Sequence, residues 1–354
     1  LRDYQQECLD RCFKALTQEN KRRIGVSLPT GSGKTVIFSH LIKKFIDHVK
    51  SQNQNSSFKT KTLILVHRKE LAYQAAKTMS QILPEYRIGI DMGDLKVDPI
   101  NYDIVIASIQ SLVFYSNPRL PNYDPDYFKL IIIDEVHHAA STTYQTILSH
   151  FGSHDFKSGI SVAGFSATIR RHDGKSLSRI LDHLVFHKSL PGMIEDGWLT
   201  DLKFTTVVTD KFSLNLDEHQ LSKLLNTPEM NSLVLKIFLQ LNKTYNFKSV
   251  LLFGADVSHV QNLTKLFNEN NIPSAFVTGT TNNKVRFQTI EDFKQRKINI
   301  LMNCNVFTEG TDIPQIDAIF LVKPTNSPNL MVQMIGRGLR LHGDKSICHV
   351  INFI

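Results

Sequence analysis

The chain has 354 residues, a hydrophobic fraction of 42% and a formal net charge of +8 from 41 Lys+Arg and 33 Asp+Glu. This length predicts two domains of ordinary size, and the composition excludes a disordered chain. No apolar run is long enough to cross a bilayer and the first residues are unlike a signal peptide, so we expect an intracellular protein. The basic surplus fits a polyanionic partner, and it fits a solvated basic surface equally well. The four cysteines form no Cys-x-x-Cys pair, and we expect them to be reduced: Cys8, Cys12, Cys304 and Cys348.

Short apolar runs alternate with helical patterns, which predicts buried parallel strands joined by helical crossovers. The predicted strands are 24–28, 62–66, 104–107, 130–133, 160–165, 250–253, 275–277, 298–302, 318–322 and 349–351. Fewer such runs occur between about 170 and 230, and a helical stretch at 230–241 begins the second series. We therefore expect two α/β domains, 1–196 and 197–354, with a connector near 196–203 and a polar surface loop at 51–57.

A glycine-rich segment follows the first predicted strand and precedes a predicted helix. It consists of Leu28, Pro29, Thr30, Gly31, Ser32, Gly33, Lys34 and Thr35. The Gly-Lys-Thr ending in a strand–loop–helix context predicts a P-loop, although Leu28 or Pro29 stands where many P-loops have Ala or Gly. Lys34 is expected to reach the β- and γ-phosphates of a nucleotide, and Thr35 to bind Mg²⁺. The alternative is a glycine-rich turn with a surface lysine.

Two acidic residues end the strand predicted at 130–133. Asp134 is expected to hold Mg²⁺, and Glu135 to orient the attacking water and take its proton. Adjacent carboxylates at a strand end are unfavourable without a cation, which favours the metal interpretation over a polar turn. His137 follows and is expected to link this site to the second domain.

Together these segments resemble the DEAD/DEAH-like helicases of superfamily 2. Further family motifs match, in the expected order, at 1–5, 66–72, 107–112, 166–168, 253–256, 277–279, 306–312 and 333–340. The resemblance implies two tandem RecA-like lobes, each a mostly parallel sheet flanked by helices, with an ATP cleft between the lobes.

The resemblance also implies roles for individual residues. Adenine would be read near Arg2 and by Gln5, whose amide offers both a donor and an acceptor. Further nucleotide contacts would come from Gly310, Asp312 and Gln333, nucleic-acid backbone contacts from Arg68, Ser108, Gln110, Thr278, Gly279 and Thr308, and coupling between the sites from His137, Ser166, Ala167 and Thr168. Arg337 and Arg340, about one helical turn apart on a predicted helix, would be arginine fingers. The alternatives are a surface glutamine, polar strand ends and a solvated basic helix.

The expected function is that of an ATP- and Mg²⁺-dependent DNA helicase or translocase, acting as a monomer on duplex or branched DNA. The Asp-Glu-Val-His and Gly-Arg-Gly-Leu-Arg segments resemble XPB-like, UvsW-like and restriction-type DNA motors, and the fungal mitochondrial helicases that remodel branched DNA. Mitochondrial location is implied by that resemblance only. Two alternatives stay open: a DEAH-like RNA helicase, and a nucleotide-gated binding subunit with little ATPase activity. A GTPase is disfavoured because Asn242-Lys243 is not followed by the x-Asp that reads guanine.

Overall fold

The computed structural model describes residues 1–52, 60–114, 116–139, 141–153, 159–168, 177, 180–209, 218–304, 306–307, 313–325 and 327–354. These residues form two compact units, Leu1–Gly192 and Met193–Ile354. The sequence placed the division slightly later, after residue 196. The polar loop predicted at 51–57 begins inside a helix that ends at Gln52, and the remainder of that loop lies outside the described residues.

A seven-stranded parallel sheet forms the centre of the first unit. Its strands are β1 Arg23–Ser27, β2 Lys61–Val66, β3 Ile88–Asp91, β4 Ile104–Ser108, β5 Phe128–Asp134, β6 Ser161–Ser166 and β7 His183–His187. Their order in the sheet is β3-β4-β2-β5-β6-β1-β7. The inner strands are buried along almost their whole length, as expected for a parallel sheet covered on both faces. The predictions missed β3 and β7, which lie at the two edges of the sheet.

Helices cover this sheet. They are α1 Asp3–Thr17, α2 Lys34–Gln52, α3 Lys69–Ile82, α4 Ile109–Val113, α5 Thr142–His150 and α6 Leu190–Glu195, with short 3₁₀ turns at Pro99–Asn101, Leu120–Asn122, Pro125–Tyr127 and Val136–His138. In α1, the residues Cys8, Leu9, Cys12 and Leu16 recur at helical spacing and are buried, so this face packs α1 onto the unit. The thiols of Cys8 and Cys12 are free.

The second unit contains a six-stranded parallel sheet in the order β10-β11-β9-β12-β13-β8. Its strands are β8 Asp201–Val207, β9 Val250–Phe253, β10 Ser274–Val277, β11 Ile300–Asn303, β12 Ala318–Leu321 and β13 Ile347–Phe353. Its helices are α7 Glu218–Leu225, α8 Pro228–Tyr245, α9 Val257–Glu269, α10 Asn283–Lys294 and α11 Pro328–Ile335.

Strand β8 corrects the predicted organisation. The connector predicted at 196–203 is wrong at its end, because residues 201–203 begin this edge strand, which pairs in parallel with β13. The second sheet thus begins before the helical stretch at 230–241, which lies within α8. None of the residues of β8 is buried, so the strand lacks the apolar run by which the inner strands were found. Within the described part of the chain, no helix combines the length and apolar character of a membrane span.

Candidate ATP site

The order of strands in the first sheet brings three predicted motifs together. Strands β5, β6 and β1 are neighbours, and the acidic pair, Ser166 and the glycine-rich loop follow their respective carboxyl ends. The N–H of Leu28 donates to the carbonyl of Ser166 at 2.9 Å, which joins the start of the loop to the end of β6. In open α/β sheets, ligands bind outside the carboxyl ends of the strands, so this edge is a candidate ligand site.

The backbone of the glycine-rich loop forms a cradle suited to phosphate. Gly31 and Gly33 have φ of 88° and 77°, values that other residues adopt only with strain. Helix α2 begins directly at Lys34 and has no acidic residue in its first turn, so the positive end of its dipole is not neutralised there. Among the described residues, the buried hydroxyls of Thr30 and Ser32 have no hydrogen-bond partner. Such buried groups require a ligand or water, and phosphate oxygens would satisfy them.

Helix α1 supports this loop from one side. The hydroxyl of Tyr4 and the amide Nε2 of Gln5 both donate to the carbonyl of Ser32, at 2.5 and 3.0 Å. The amide oxygen of Gln5 accepts from the backbone N–H of Arg2 at 3.0 Å. A Cβ atom on Gly33 would lie only 2.6 Å from Gln5 Nε2, so the helix and the loop fit together only with glycine there. Both polar groups of the predicted adenine reader are therefore engaged inside the protein, and the sequence did not indicate the role of Tyr4.

The lysine of the loop and the predicted water-activating carboxylate are close to each other. Lys34 Nζ lies 3.5 Å from Glu135 Oε1 and donates to the carbonyl of Leu28 at 3.3 Å. Glu135 has φ of 53°, in the left-handed region that residues with a side chain rarely adopt. Strain of this kind is concentrated at functional sites, and here it turns the carboxylate away from the direction of β5.

Asp134 and Thr35 have the donor chemistry that Mg²⁺ requires. A carboxylate and a hydroxyl supply hard oxygen ligands, and Mg²⁺ usually binds one or two such groups together with phosphates and water. Asp134 is buried at the end of β5, and Thr35 lies in the first turn of α2. The described residues contain no cluster of three or more His, Cys, Asp or Glu side chains suited to a metal. The residues present therefore fit a cation held jointly with a nucleotide rather than by a protein cage.

A hydrogen-bond network connects the acidic pair to β6. His137 Nδ1 lies 2.7 Å from Ser166 Oγ and 3.4 Å from Glu135 Oε2. Ser166 Oγ also lies 3.4 Å from Glu135 Oε2, and it bonds both the carbonyl and the N–H of Thr168, at 2.8 and 3.2 Å. A change in the position of Glu135 would therefore be felt by the segment 166–168 that follows β6.

The predicted nucleic-acid contacts of the first unit follow β2 and β4, on the other side of β5 from the loop. Arg68 precedes α3 at the N-cap position. Ser108 caps α4 by accepting from the N–H of Ser111 at 3.0 Å, and Gln110 Nε2 donates to the carbonyl of His67 at 3.4 Å. The structure thus gives Ser108 and Gln110 roles in ordering the two strand ends.

In the second unit, Thr278 and Gly279 follow β10. Thr278 is buried and bonds the hydroxyls of Thr280 and Thr281, whereas a Cβ atom on Gly279 would meet no atom of the described residues within 4 Å. Asn303 ends β11, where its amide oxygen accepts from the N–H groups of Val306 and Phe307 at 3.3 and 3.2 Å. The predicted residues Thr308, Gly310 and Asp312 lie outside the described residues.

The predicted arginine pair lies beyond a helix rather than on it. Helix α11 contains Gln333 and ends at Ile335, so Arg337 and Arg340 occupy the turn that follows, and the prediction that they share a helical face is wrong. Arg337 and Gln333 are buried, and Arg340 is half-buried.

Comparisons with known protein families agree with the two units. Residues 1–171 match the family Type III restriction enzyme, res subunit, and residues 231–342 match the helicase conserved C-terminal domain. The chain therefore belongs to the superfamily 2 helicases and carries both domains of their ATPase core.

Three relatives are similar along nearly the whole chain. The Saccharomyces cerevisiae protein provisionally named ATP-dependent helicase IRC3 is 45% identical over 100% of this chain and 51% of its own length. The Schizosaccharomyces pombe protein provisionally named mitochondrial ATP-dependent helicase irc3 is 43% identical over 100% and 57%. The ATP-dependent DNA helicase uvsW of Enterobacteria phage T4 is 24% identical over 98% and 67%. The chain thus spans about half the length of the two fungal relatives.

Solved structures share the fold. A fragment of an HsdR subunit assigned to a type I restriction enzyme of Vibrio vulnificus has a TM-score of 0.75 at 22% identity, covering 99% of this chain and 63% of that chain. The DNA-bound restriction-modification enzyme LlaBIII has a TM-score of 0.68 at 17% identity, covering 99% and 27%. The RNA-bound Saccharomyces cerevisiae Dbp5 has 0.66 at 16%, covering 98% and 83%. Because DNA-bound and RNA-bound proteins score alike, the fold does not select between the two nucleic acids.

Proposed function

We propose that this chain is the motor of an ATP-dependent DNA helicase or translocase, which hydrolyses ATP to move along or remodel duplex or branched DNA. The observation that carries the proposal is the pairing of Lys34 with Glu135, beside a loop whose two buried hydroxyls have no partner among the described residues. A phosphate-binding lysine, a strained carboxylate and a helix N-terminus at one sheet edge are the parts that phosphoryl transfer to water requires.

Each of these groups has a task in the proposed reaction. The loop and Lys34 bind the β- and γ-phosphates, and Glu135 orients the attacking water and takes its proton. Mg²⁺, held by Asp134 and Thr35, supplies charge neutralisation for the triphosphate when bound. Arg337 and Arg340 of the second unit stabilise the charge that develops on the transferred phosphoryl group.

DNA is the proposed track because of the relatives. The phage relative is named a DNA helicase, and the first unit matches a restriction-enzyme family. The surplus of eight positive charges is compatible with a phosphate backbone of either kind. We further propose a mitochondrial location, which rests on the name of the Schizosaccharomyces pombe relative, and a monomeric motor.

The base is tested by replacing one oxygen of its carboxylate. Glu135→Gln should bind ATP as tightly as the wild type but turn it over about 10²- to 10⁴-fold more slowly, because the amide cannot accept the proton. Binding is measured with a fluorescent ATP analogue and turnover by phosphate release. The matched control is Glu85→Gln, whose carboxylate pairs with Lys43 on the surface. If Glu135→Gln retained wild-type turnover, the site would not hydrolyse ATP in the proposed way.

The arginines are tested in the same assay. Arg337→Ala and Arg340→Ala should each retain ATP binding, and at least one should lose on the order of 10³-fold in turnover, the lower range for an arginine finger. Arg296→Ala is the control, because its guanidinium pairs with Asp344 on the surface. Equal losses in binding and turnover would contradict a role in the transition state.

The track is tested by ATP turnover with duplex DNA, branched DNA, single-stranded DNA and RNA at equal nucleotide concentration. Stimulation by DNA is expected. Stimulation by RNA alone would replace the proposal with an RNA helicase. If no nucleic acid raised turnover above that of Glu135→Gln, the chain would be a nucleotide-gated binding subunit.

A further inference from the structure

The turn that carries Arg337 and Arg340 is held by its backbone as well as by its side chains. Between the two arginines, Leu339 is fully buried, and Gly338 packs so closely that a Cβ atom there would lie 2.4 Å from Cys348 Sγ and 2.9 Å from Ile319 Cδ1. The turn thus rests directly on β12 and β13, without space for a side chain at position 338.

Lys345 bonds one carbonyl of this turn. Its Nζ donates to the carbonyl of Gly338 at 2.5 Å and to the carbonyl of Ile316 at 2.8 Å. Ile316 lies in the segment that leads from the 306–312 motif to β12. One ammonium therefore joins the backbones of two predicted nucleotide-contacting segments. Burial lowers the pKa of Lys345 to about 8, so the position is unfavourable for its charge and the two carbonyls are the contacts that offset this.

Thr200 bonds the next two carbonyls. Its backbone N–H donates to the carbonyl of Leu339 at 2.8 Å, and its hydroxyl donates to the carbonyl of Arg340 at 2.9 Å. Thr200 is buried, and it directly precedes β8. The chain that enters the second unit is thus bonded to the arginine turn just before its first strand begins.

Three successive carbonyls, from Gly338 to Arg340, are therefore occupied by donors from two distant parts of the second unit. A solvated basic turn would not need such an arrangement, since water can satisfy exposed carbonyls. Fixing the backbone on both sides of Leu339 restricts where the two guanidinium groups can be presented, and pre-organised charge is what electrostatic catalysis requires.

We propose that Thr200 and Lys345 are positioning residues for Arg340 and Arg337, and that they set the rate of ATP hydrolysis by fixing the backbone of the arginine turn. The proposal rests on the proposed function of the two arginines. Neither residue belongs to the motifs that the sequence indicated, and each acts through the turn rather than on the nucleotide.

The test uses variants that remove a donor with little change of volume. Thr200→Val removes the hydroxyl bond but keeps the backbone bond, Thr200→Ser retains both, and Lys345→Met removes the ammonium. Thr200→Val and Lys345→Met should lower the nucleic-acid-stimulated kcat by about tenfold with the KM for ATP unchanged, because a group misplaced by about 1 Å can cost up to 10²-fold. Thr200→Ser should restore most of the wild-type rate. Asp344→Asn, next to Lys345 and in contact with the surface groups of Arg296 and His342, should leave kcat unchanged.

Double variants separate positioning from general stability. In an Arg340→Ala background, Thr200→Val should cause little further loss of kcat, and Lys345→Met should cause little further loss in an Arg337→Ala background. Losses that multiply in these backgrounds, or a Thr200→Val protein with wild-type kcat, would overturn the inference while Arg337→Ala and Arg340→Ala still test the proposed function. Wild-type turnover in both arginine variants would instead overturn the proposed function itself. Should Lys345→Met fail to fold, the Thr200 series decides alone.

Discussion

Ser32 shows how one backbone atom can determine the geometry of a binding loop. Its carbonyl accepts from Tyr4 and Gln5, two neighbouring residues at the start of α1. Burial raises the pKa of Tyr4, so its hydroxyl stays protonated and remains a donor at neutral pH. Because the carbonyl is held by α1, the N–H groups on the other side of the loop are directed toward the space where phosphate is expected.

Replacing these two donors should have different effects on nucleotide choice. Tyr4→Phe removes one buried hydrogen bond, worth about 0.5–1.5 kcal/mol, and should raise the KM for ATP and for GTP alike by about 2- to 10-fold. Gln5→Ala should in addition reduce the preference for ATP over GTP, if its amide exchanges Ser32 for adenine when ATP binds. Steady-state ATPase and GTPase rates measure both effects.

The neighbouring Gln6→Ala is the control for these variants, since Gln6 is exposed and bonds Asp10. An unchanged ATP-to-GTP ratio in Gln5→Ala would mean that Gln5 supports the loop and does not read the base. A rise in KM for only one nucleotide in Tyr4→Phe would contradict the indirect role given to Tyr4.

Residues whose task follows from local spacing could be predicted, and residues whose task depends on a distant partner could not. Lys34 and Glu135 stand in short segments whose chemistry is visible in the chain itself. The bond from Tyr4 to Ser32 spans 28 positions, and the bond from Thr200 to Arg340 spans 140. Nothing near Thr200 in the sequence indicates its partner, because only the parallel arrangement of β8 and β13 brings the two segments together.

At the scale of elements, burial decided which strands could be predicted. The inner strands are apolar on both faces, and all of them were found. The edge strands β3, β7 and β8 are short of buried residues and were missed. A strand at a sheet edge is stabilised by hydrogen bonds to one neighbour, which leave no hydrophobic signal in the sequence. The turn after α11 was mistaken for helix because its glycines and arginines continue a helical spacing.

The end of α8 gives a prediction about stability. Asn246 ends this helix with φ of 51° and ψ of 56°, and its N–H bonds the carbonyl of Asn242 at 2.9 Å. Asn246→Ala should lower the free energy of unfolding of the second unit by about 1 kcal/mol, because a Cβ without a polar group is disfavoured in the left-handed region. Asn246→Gly should match or slightly exceed the wild type.

The measurement is chemical unfolding followed by the fluorescence of Trp198, the single tryptophan of the chain, which lies in the second unit with Asn246. Asn283→Ala, in the first turn of α10, is the control and should be neutral or stabilising. A destabilisation by Asn246→Gly as large as that by Asn246→Ala would show that the amide, and not the backbone conformation, stabilises this helix end.

At the scale of the whole molecule, both units have the same internal arrangement. Each is a parallel sheet whose carboxyl edge carries the polar segments, and in the first unit these segments divide into two groups. The loop and the acidic pair follow β1 and β5, whereas the predicted nucleic-acid contacts follow β2 and β4. One rigid sheet thus holds both groups, and the network through His137 and Ser166 reaches the strand between β5 and β1.

Binding to a nucleic-acid backbone through this second group should depend on salt in a way that counts its phosphate contacts. Each phosphate neutralised by Lys or Arg contributes about 0.9 to the slope of log K against log salt concentration for duplex DNA. Arg68→Ala should weaken binding to duplexes of unrelated sequence alike and should reduce the magnitude of the slope by about 0.9. The measurement is fluorescence anisotropy of labelled duplex DNA over a range of roughly 50–200 mM salt. Arg11→Ala is the matched control, because Arg11 lies on α1 in an exposed pair with Glu7 and changes the net charge by the same amount. A reduced slope in both variants would mean that net charge alone attracts the nucleic acid, and an unchanged slope in Arg68→Ala would remove Arg68 from the interface.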